Sequence, residues 1–245
     1  MKKTLIIVML ALASITIKAQ TVKIAAAGNL RFILEDIKTK YIAQNPKAEI
    51  TISIGASGAL YQQIMNGAGF DIFMAADKVF PDKLKTQGMV VGDVKTYAFG
   101  KLVLWSNSID VSKGLDVLTT KAVTHIAIAK PEVAPYGERA IQVLKYYSLL
   151  EKVKEKIVYA DNIAQAAQYA QTGNAEVGFI ALALAVSPEM KGTYYTLDTK
   201  SYKPVEQAMV LLKAGENNPE ATKFMQFVLS AACKPIFEKY GFIVP

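Results

Sequence analysis

Apolar positions along the chain change period again and again. "TVKIAAA" (21–27) is β-branched and apolar, as a buried strand should be, and "LRFILEDIKTKYIAQN" follows with Leu30, Ile33, Leu34, Ile37 and Tyr41 at helical spacing. "AEITISIG" (48–55) alternates like a strand, "GALYQQIMNG" reads as a short helix stopped by Gly67, and "FDIFMAAD" (70–77) is again a short strand. "VFPDKLKTQGMV" gives a turn of helix ending at Gly88. Strands are expected at "GKLVLWSN" (100–107), "THIAIA", "KIVYAD", "AEVGFIALALA" and "PVEQAMVLLKAG". Helices are expected after the Pro-rich turn of "KPEVAPYGERAIQVLKYYSLL", in "IAQAAQYAQTGN" up to Gly173, and once or twice in "NPEATKFMQFVLSAACKPIFEKYGF".

This alternation predicts an α/β protein with parallel sheets covered by helices. No low-complexity linker interrupts it, which favours two lobes sharing crossover strands, with "GKLVLWSN" and "EQAMVLLK" able to carry the chain between them. In such sheets ligands bind beyond the carboxyl ends of strands, where helices begin. Three strand-to-helix joints therefore matter: "AAAGNLR", "IGASGAL" and "KPEVAPYGERA". Each carries small residues that admit a ligand to the unpaired N–H groups of a helix start. Asn29 and Ser57 add short polar side chains there and are also natural N-caps. The joints are poor in lysine. Arg31 and Arg139 lie nearby, each just inside a helix and expected to face solvent. Neutral N–H and O–H donors suit a compact, fully deprotonated oxyanion, whose oxygens only accept.

Composition changes this picture in a few places. "MKKTLIIVMLALASITIKAQ" has two lysines, an apolar run and a small-residue site ending at Ala19, the pattern of a secretory signal peptide over 1–19 with a mature chain from Gln20. The run is too short for a membrane span, and no cysteine stands at the cleavage site for a lipid anchor. Removing Lys2, Lys3 and Lys18 lowers the formal net charge from +7 to +4. That charge is mild and scattered, which gives nucleic-acid binding no support. Cys233 is the single cysteine, expected as a buried apolar residue, so no disulfide framework exists. His125 is the single histidine, which excludes a zinc site built on several.

"G-A-S-G-A" around Ser57 is one residue short of the nucleophile elbow of serine hydrolases. A hydrolase also needs a general base. His125 begins the strand "HIAIA", at the end away from the ligand side, and is expected to be solvated; no lysine lies within reach on the helix after Gly58. Asp71 and Asp77 flank "FDIFMAAD", and Asp77 and Asp161 are expected as strand-end caps of the helices that follow. Tyr61 is expected to pack or to sit at a rim.

Taken together, "AAAGNLRFILEDI", "ISIGASGALYQQIMNGAGFDIFMAADKVFPDKL", "AKPEVAPYGERAIQVL", "ADNIAQAAQYAQTGNAEVGFI" and the terminal "FEKYGF" resemble the periplasmic molybdate-binding proteins of molybdate ABC transporters. The resemblance runs in order over nearly the whole mature chain, and the serine turn followed by "DIFMAAD" is its most specific part. It implies a type II periplasmic-binding-protein fold: two α/β lobes, each a mixed, mostly parallel sheet flanked by helices, with a ligand cleft between them. Lobe I would comprise 20–101 and 205–245, and lobe II 102–204.

The resemblance further implies a periplasmic, monomeric receptor with no cofactor and no enzymatic activity. It would hold molybdate or tungstate by hydrogen bonds, without a countercharge, and deliver it to a membrane permease. The binding positions carried over are Asn29, Ser57, Tyr136 in "VAPYG" and Ile163 in "ADNIAQ", with Gly28 and Gly58 as secondary positions. Asn29 and Ser57 would give side chain and backbone, Tyr136 and Ile163 backbone N–H groups. Some members have serine where Asn29 stands. Some place a tyrosine where this chain has Ala181 and an alanine where it has Tyr136, so the Tyr136 hydroxyl is expected to replace the one missing at Ala181. A receptor for sulfate or phosphate and a secreted serine hydrolase using Ser57 stand as alternatives.

Overall fold

The computed structural model describes residues 21–245; the expected signal peptide lies outside the described residues. In chain order the elements begin with β1 (Thr21–Ala27), α1 (Arg31–Gln44), β2 (Glu49–Gly55), α2 (Ser57–Met65), β3 (Ile72–Met74), α3 (Val79–Thr86), β4 (Val90–Gly100) and β5 (Leu102–Ser106). They continue with β6 (Ile126–Ala129), α4 (Pro135–Tyr146), α5 (Leu150–Val153), β7 (Ile157–Ala160), α6 (Ile163–Gln171), β8 (Val177–Ala181) and α7 (Leu182–Ala185). The chain closes with β9 (Thr193–Thr196), β10 (Val205–Leu212), α8 (Pro219–Val228) and α9 (Lys234–Lys239). A single 3₁₀ turn, Gly28–Leu30, leads from β1 into α1.

Two five-stranded sheets result, ordered β2-β1-β3-β10-β4 and β7-β6-β8-β5-β9. Each is the frame of one lobe, and the two share one plan. β1 pairs in parallel with β2 and β3, as β6 does with β7 and β8. The other half of each sheet is antiparallel: β10 against β3 and β4, and β5 against β8 and β9. The sheets are mixed, as the resemblance implies, but not mostly parallel: half of the strand pairings in each are antiparallel. The strands responsible are β10 and β5, each of which runs against both of its neighbours. The edge strands β4 and β9 give weak sequence signals. β4 reads "VVGDVKTYAFG", in which polar residues interrupt the apolar ones, because an edge strand is covered on few sides.

The chain passes between sheets at Gly100–Lys101, from β4 to β5, and again between β9 and β10. "GKLVLWSN" carries the first crossing at its start, since Gly100 ends β4 and Leu102–Ser106 form β5, whereas "EQAMVLLK" starts just after the second crossing and lies within one sheet. The apolar run 175–185 divides: β8 ends at Ala181, and "LALA" turns into α7.

Period-2 alternation explains the first lobe's packing. Val22, Ile24 and Ala26 of β1 face a core with Ile33, Leu34, Ile37 and Tyr41 of α1, Phe224 of α8 and Phe237 of α9. Ala25 faces the other way, into a core with Leu60 and Ile64 of α2 and Leu84 of α3. The second lobe packs around Trp105, Ile126, Ile128, Phe179 and Val143. Ala27, Ala56 and Ala76, at the ends of β1 and β2 and just past β3, belong to this second-lobe cluster, so the lobes meet through small residues. Cys233 is buried, and burial pushes its thiol up to about 11. No described helix is long and apolar enough to cross a membrane.

Candidate anion-binding site

The carboxyl ends of β1, β2, β6 and β7 point into the space between the lobes, and a helix or 3₁₀ turn begins at each. A cavity of about 190 Å³, counting its open mouth, lies where these starts converge. Asn29, Ser57, Tyr136, Ile163 and Gly28 all line it, together with Ala27, Gly55, Ala56, Ala76, Ala134 and Pro135. The space open to the centre of a water-sized sphere is only about 10 Å³, against roughly 300 Å³ and upward for pockets that take drug-sized ligands, so the cavity suits a compact ion. None of the lining side chains carries a charge.

Each helix start keeps its first N–H free of a side-chain cap. At α2 the preceding residue is Ala56, which cannot cap, and the first N–H belongs to Ser57. At α4, Pro135 has no N–H, so the first donor is Tyr136. At α6, Asn162 caps: its Oδ1 accepts from the N–H groups of Ala164 and Gln165, at 2.9 and 3.0 Å. That cap satisfies the second and third donors and leaves the N–H of Ile163 to point outward. The cap expected at Asp161 is thus made by its neighbour, and Asp161 instead pairs with Lys130 at 2.6 Å on the surface.

Asn29 and Ser57 do not cap either. Both are buried. Ser57 Oγ accepts from the N–H of Ala76 at 3.0 Å, which fills an acceptor position and leaves the hydroxyl proton to donate elsewhere. Asn29 Nδ2 donates to Gln207 Oε1 at 2.9 Å, and Asn29 Oδ1 has no partner. Tyr136 is buried, and its hydroxyl accepts from Gln207 Nε2 at 2.9 Å. Ala181 is buried at the end of β8 and does not line the cavity.

Gly28 and Gly58 stand where the lobes touch. A Cβ on Gly28 would come within 3.0 Å of Ala164 N and 3.1 Å of Asn162 Oδ1, both of the second lobe. Gly58 is outside the lining. Its N–H donates across the cleft to Val133 O at 2.9 Å, and a Cβ there would lie 2.9 Å from Val133 Cα.

Charged groups are set back from the cavity. Arg139 is buried, not solvated as expected, with Nη1 on Glu138 Oε2; Arg31 is exposed as expected. Asp77 is buried, and its Oδ1 accepts from the N–H of Phe80 at 3.3 Å near the start of α3. Burial pushes its carboxyl up to about 6, with the Phe80 N–H and Arg139 pulling the other way. Burial likewise drives the hydroxyls of Tyr97 and Tyr136 upward, so both are neutral hydrogen-bonding groups. His125 is exposed at the far end of β6, where its Nδ1 lies 3.0 Å from Thr124 Oγ1. Among the described residues no group of three or more His, Cys, Asp or Glu is placed to hold a metal cation.

Sequence reasoning missed Gln207 and Tyr97, the polar residues behind the cavity. Gln207 sits inside the apolar run of β10, and a buried glutamine there was the available signal.

Comparison with known proteins identifies the family. Residues 22–243 match the family model described as bacterial extracellular solute-binding protein. The molybdate-binding protein ModA of Azotobacter vinelandii is 38% identical over 229 residues, covering 92% of this chain and 90% of the relative. ModA of Rhodobacter capsulatus is 39% identical over 196 residues, covering 79% of this chain and 77% of the relative. The solved structure of the Azotobacter vinelandii periplasmic molybdate-binding protein superposes with a TM-score of 0.86 at 35% identity, over 91% of this chain and 99% of that one. The chain belongs to the bacterial extracellular solute-binding protein family, and within it stands with the molybdate-binding proteins.

Proposed function

We propose that this protein is the receptor of a molybdate ABC transporter: it captures molybdate or tungstate between its lobes and hands it to a membrane permease. The observation that carries the reading is the cavity itself, where four strand ends each present a helix start whose first N–H is free of a side-chain cap and no lining side chain is charged. A tetrahedral dianion has only acceptor oxygens. The Ser57 hydroxyl and the backbone N–H groups of Asn29, Ser57, Tyr136 and Ile163 are donors, and the partial positive charge of each helix start adds to them. Size then separates molybdate and tungstate from sulfate, since charge and shape are alike.

In this reading the protein works as a periplasmic monomer without cofactor or catalysis, lobe I being 20–101 with 205–245 and lobe II 102–204. Ser57 is a donor and not a nucleophile: its oxygen is bonded to the Ala76 N–H, and His125 lies at the wrong end of its strand. Calorimetric titration of the chain from Gln20 with molybdate, tungstate, sulfate and phosphate tests the proposal. Tight one-to-one binding of the first two alone is expected. Tight binding of sulfate or phosphate would move the substrate, and silence from all four would overturn the receptor reading.

A further inference from the structure

Behind the cavity one hydrogen-bond network reaches across the cleft, and two of its atoms are badly served. Gln207 of β10 is fully buried. Its Oε1 accepts from Asn29 Nδ2 at 2.9 Å and stands 2.8 Å from the Tyr97 hydroxyl, while its Nε2 donates to the Tyr136 hydroxyl of the other lobe at 2.9 Å. The Tyr97 hydroxyl is also 2.8 Å from the carbonyl oxygen of Ala75. It has one proton and faces two acceptors, so one of these contacts goes unfilled. Asn29 Oδ1 is buried and has no partner at all. An orphan acceptor on a residue that lines an oxyanion cavity is also of the wrong polarity for the ligand.

Turning both amides over removes both faults, because the two ends of an amide are nearly alike in size. Gln207 Nε2 then gives its two protons to Asn29 Oδ1 and to the Tyr97 oxygen. Tyr97 gives its single proton to Ala75 O, and the Tyr136 hydroxyl donates to Gln207 Oε1. The separations of 2.8 and 2.9 Å serve equally well in this direction. Asn29 Nδ2 replaces Oδ1 as the free amide atom, now a donor for the anion.

We propose that Gln207 is a positioning residue: in the anion-loaded protein its amide is turned in this way, holding Asn29 with Nδ2 toward the oxyanion and tying Tyr136 of the second lobe to the same unit. The proposal rests on the oxyanion reading above. It makes Gln207, which is not among the cavity-lining residues, a determinant of affinity that acts through Asn29.

The test is made on the mature protein titrated with molybdate. Gln207→Leu is expected to weaken binding about tenfold or more, the size of a hydrogen bond to a charged group. In the Asn29→Ala background the same substitution should cost less than about threefold, because Gln207 then has no Asn29 to orient. An equal loss in both backgrounds would overturn the proposal. A second readout needs no variant at the hub. In the loaded wild-type protein, the Gln207 side-chain amide protons should show nuclear Overhauser contacts to the Tyr97 ring; contacts to the Tyr136 ring instead would overturn it. Calorimetry on the same sample separates the two readings. If the wild-type protein binds no molybdate, the receptor assignment has failed; if it binds and the amide protons face Tyr136, only the role of Gln207 has.

Discussion

Ser57→Ala removes one oxygen that does two things, and the structure lets the two be separated. As an acceptor, Ser57 Oγ holds the N–H of Ala76 at 3.0 Å in a buried place. Alanine leaves that N–H without a partner, which costs about 1–3 kcal/mol of folding stability. In a chain of this size each kcal/mol moves Tm by roughly 2–4 °C, so the unloaded variant should melt several degrees below wild type. As a donor, the hydroxyl meets a charged oxygen, an interaction worth about 1.5–3 kcal/mol, or roughly a 10- to 150-fold change in Kd. Thermal melts with and without molybdate, together with calorimetry, read both effects. The ligand-induced rise in Tm should shrink as well, since each tenfold loss of affinity removes about 1.4 kcal/mol of ligand stabilisation at a fixed saturating concentration. An unchanged Kd, whatever the Tm, would refute the donor role. An unchanged Tm in the unloaded protein would refute the Ala76 contact.

Other positions give equally direct tests. A Cβ at Gly100 would fall on the Tyr136 hydroxyl and the Gln207 amide, so Gly100→Ala should weaken molybdate binding about tenfold or more by calorimetry, and wild-type affinity would show that this network does not matter. Asn162→Ala removes the cap of α6, which should cost about 1 kcal/mol of stability and also weaken binding by loosening the Ile163 N–H; a loss of Tm with unchanged Kd would exclude α6 from the site. Asp77 gives a pH signature. Its carboxyl is pushed from an ordinary 3.8 to about 6, chiefly by burial, so between about pH 4 and 6 the folded chain keeps a proton that the unfolded chain has lost. Stability attributable to Asp77 is therefore highest below that window, falls as pH rises through it, and stays about 3 kcal/mol lower above it. Asp77→Asn should raise Tm at pH 7 and flatten melting temperature against pH over that window, and equal slopes for the two proteins would reject the assignment.

Much of the molecule was legible in the sequence because its signals are local. The apolar face of α1, Leu30 to Tyr41, is buried as its spacing requires. The helix stops at Gly67, Gly88 and Gly173 have positive φ, which glycine adopts without strain. The three joints singled out as strand-to-helix turns do open on the cavity, since a parallel strand's carboxyl end and the helix that follows it must lie on one side of the sheet. The fourth, at Ile163, was reached only by resemblance, because its cap is a single asparagine beside an aspartate and either could serve.

What local patterns could not decide was which groups meet across long sequence separations. Arg139 looked solvated because a charge one turn into a helix usually is; it is buried in the folded chain. Ser57 and Asn29 read as caps, and only the folded arrangement directs one oxygen to Ala76 and the other amide to Gln207, 178 residues away. The sequence by itself determined the elements, the order in which they alternate and the donor-rich, lysine-poor turns, since these depend on residues within a few positions of one another. The tertiary structure alone decided that four such turns close on one small cavity and that Gln207 stands behind it, bonded to residues of both lobes. The physical reason is that a buried polar group takes its partners from whatever the fold brings within hydrogen-bond reach, and no periodicity along the chain encodes that choice.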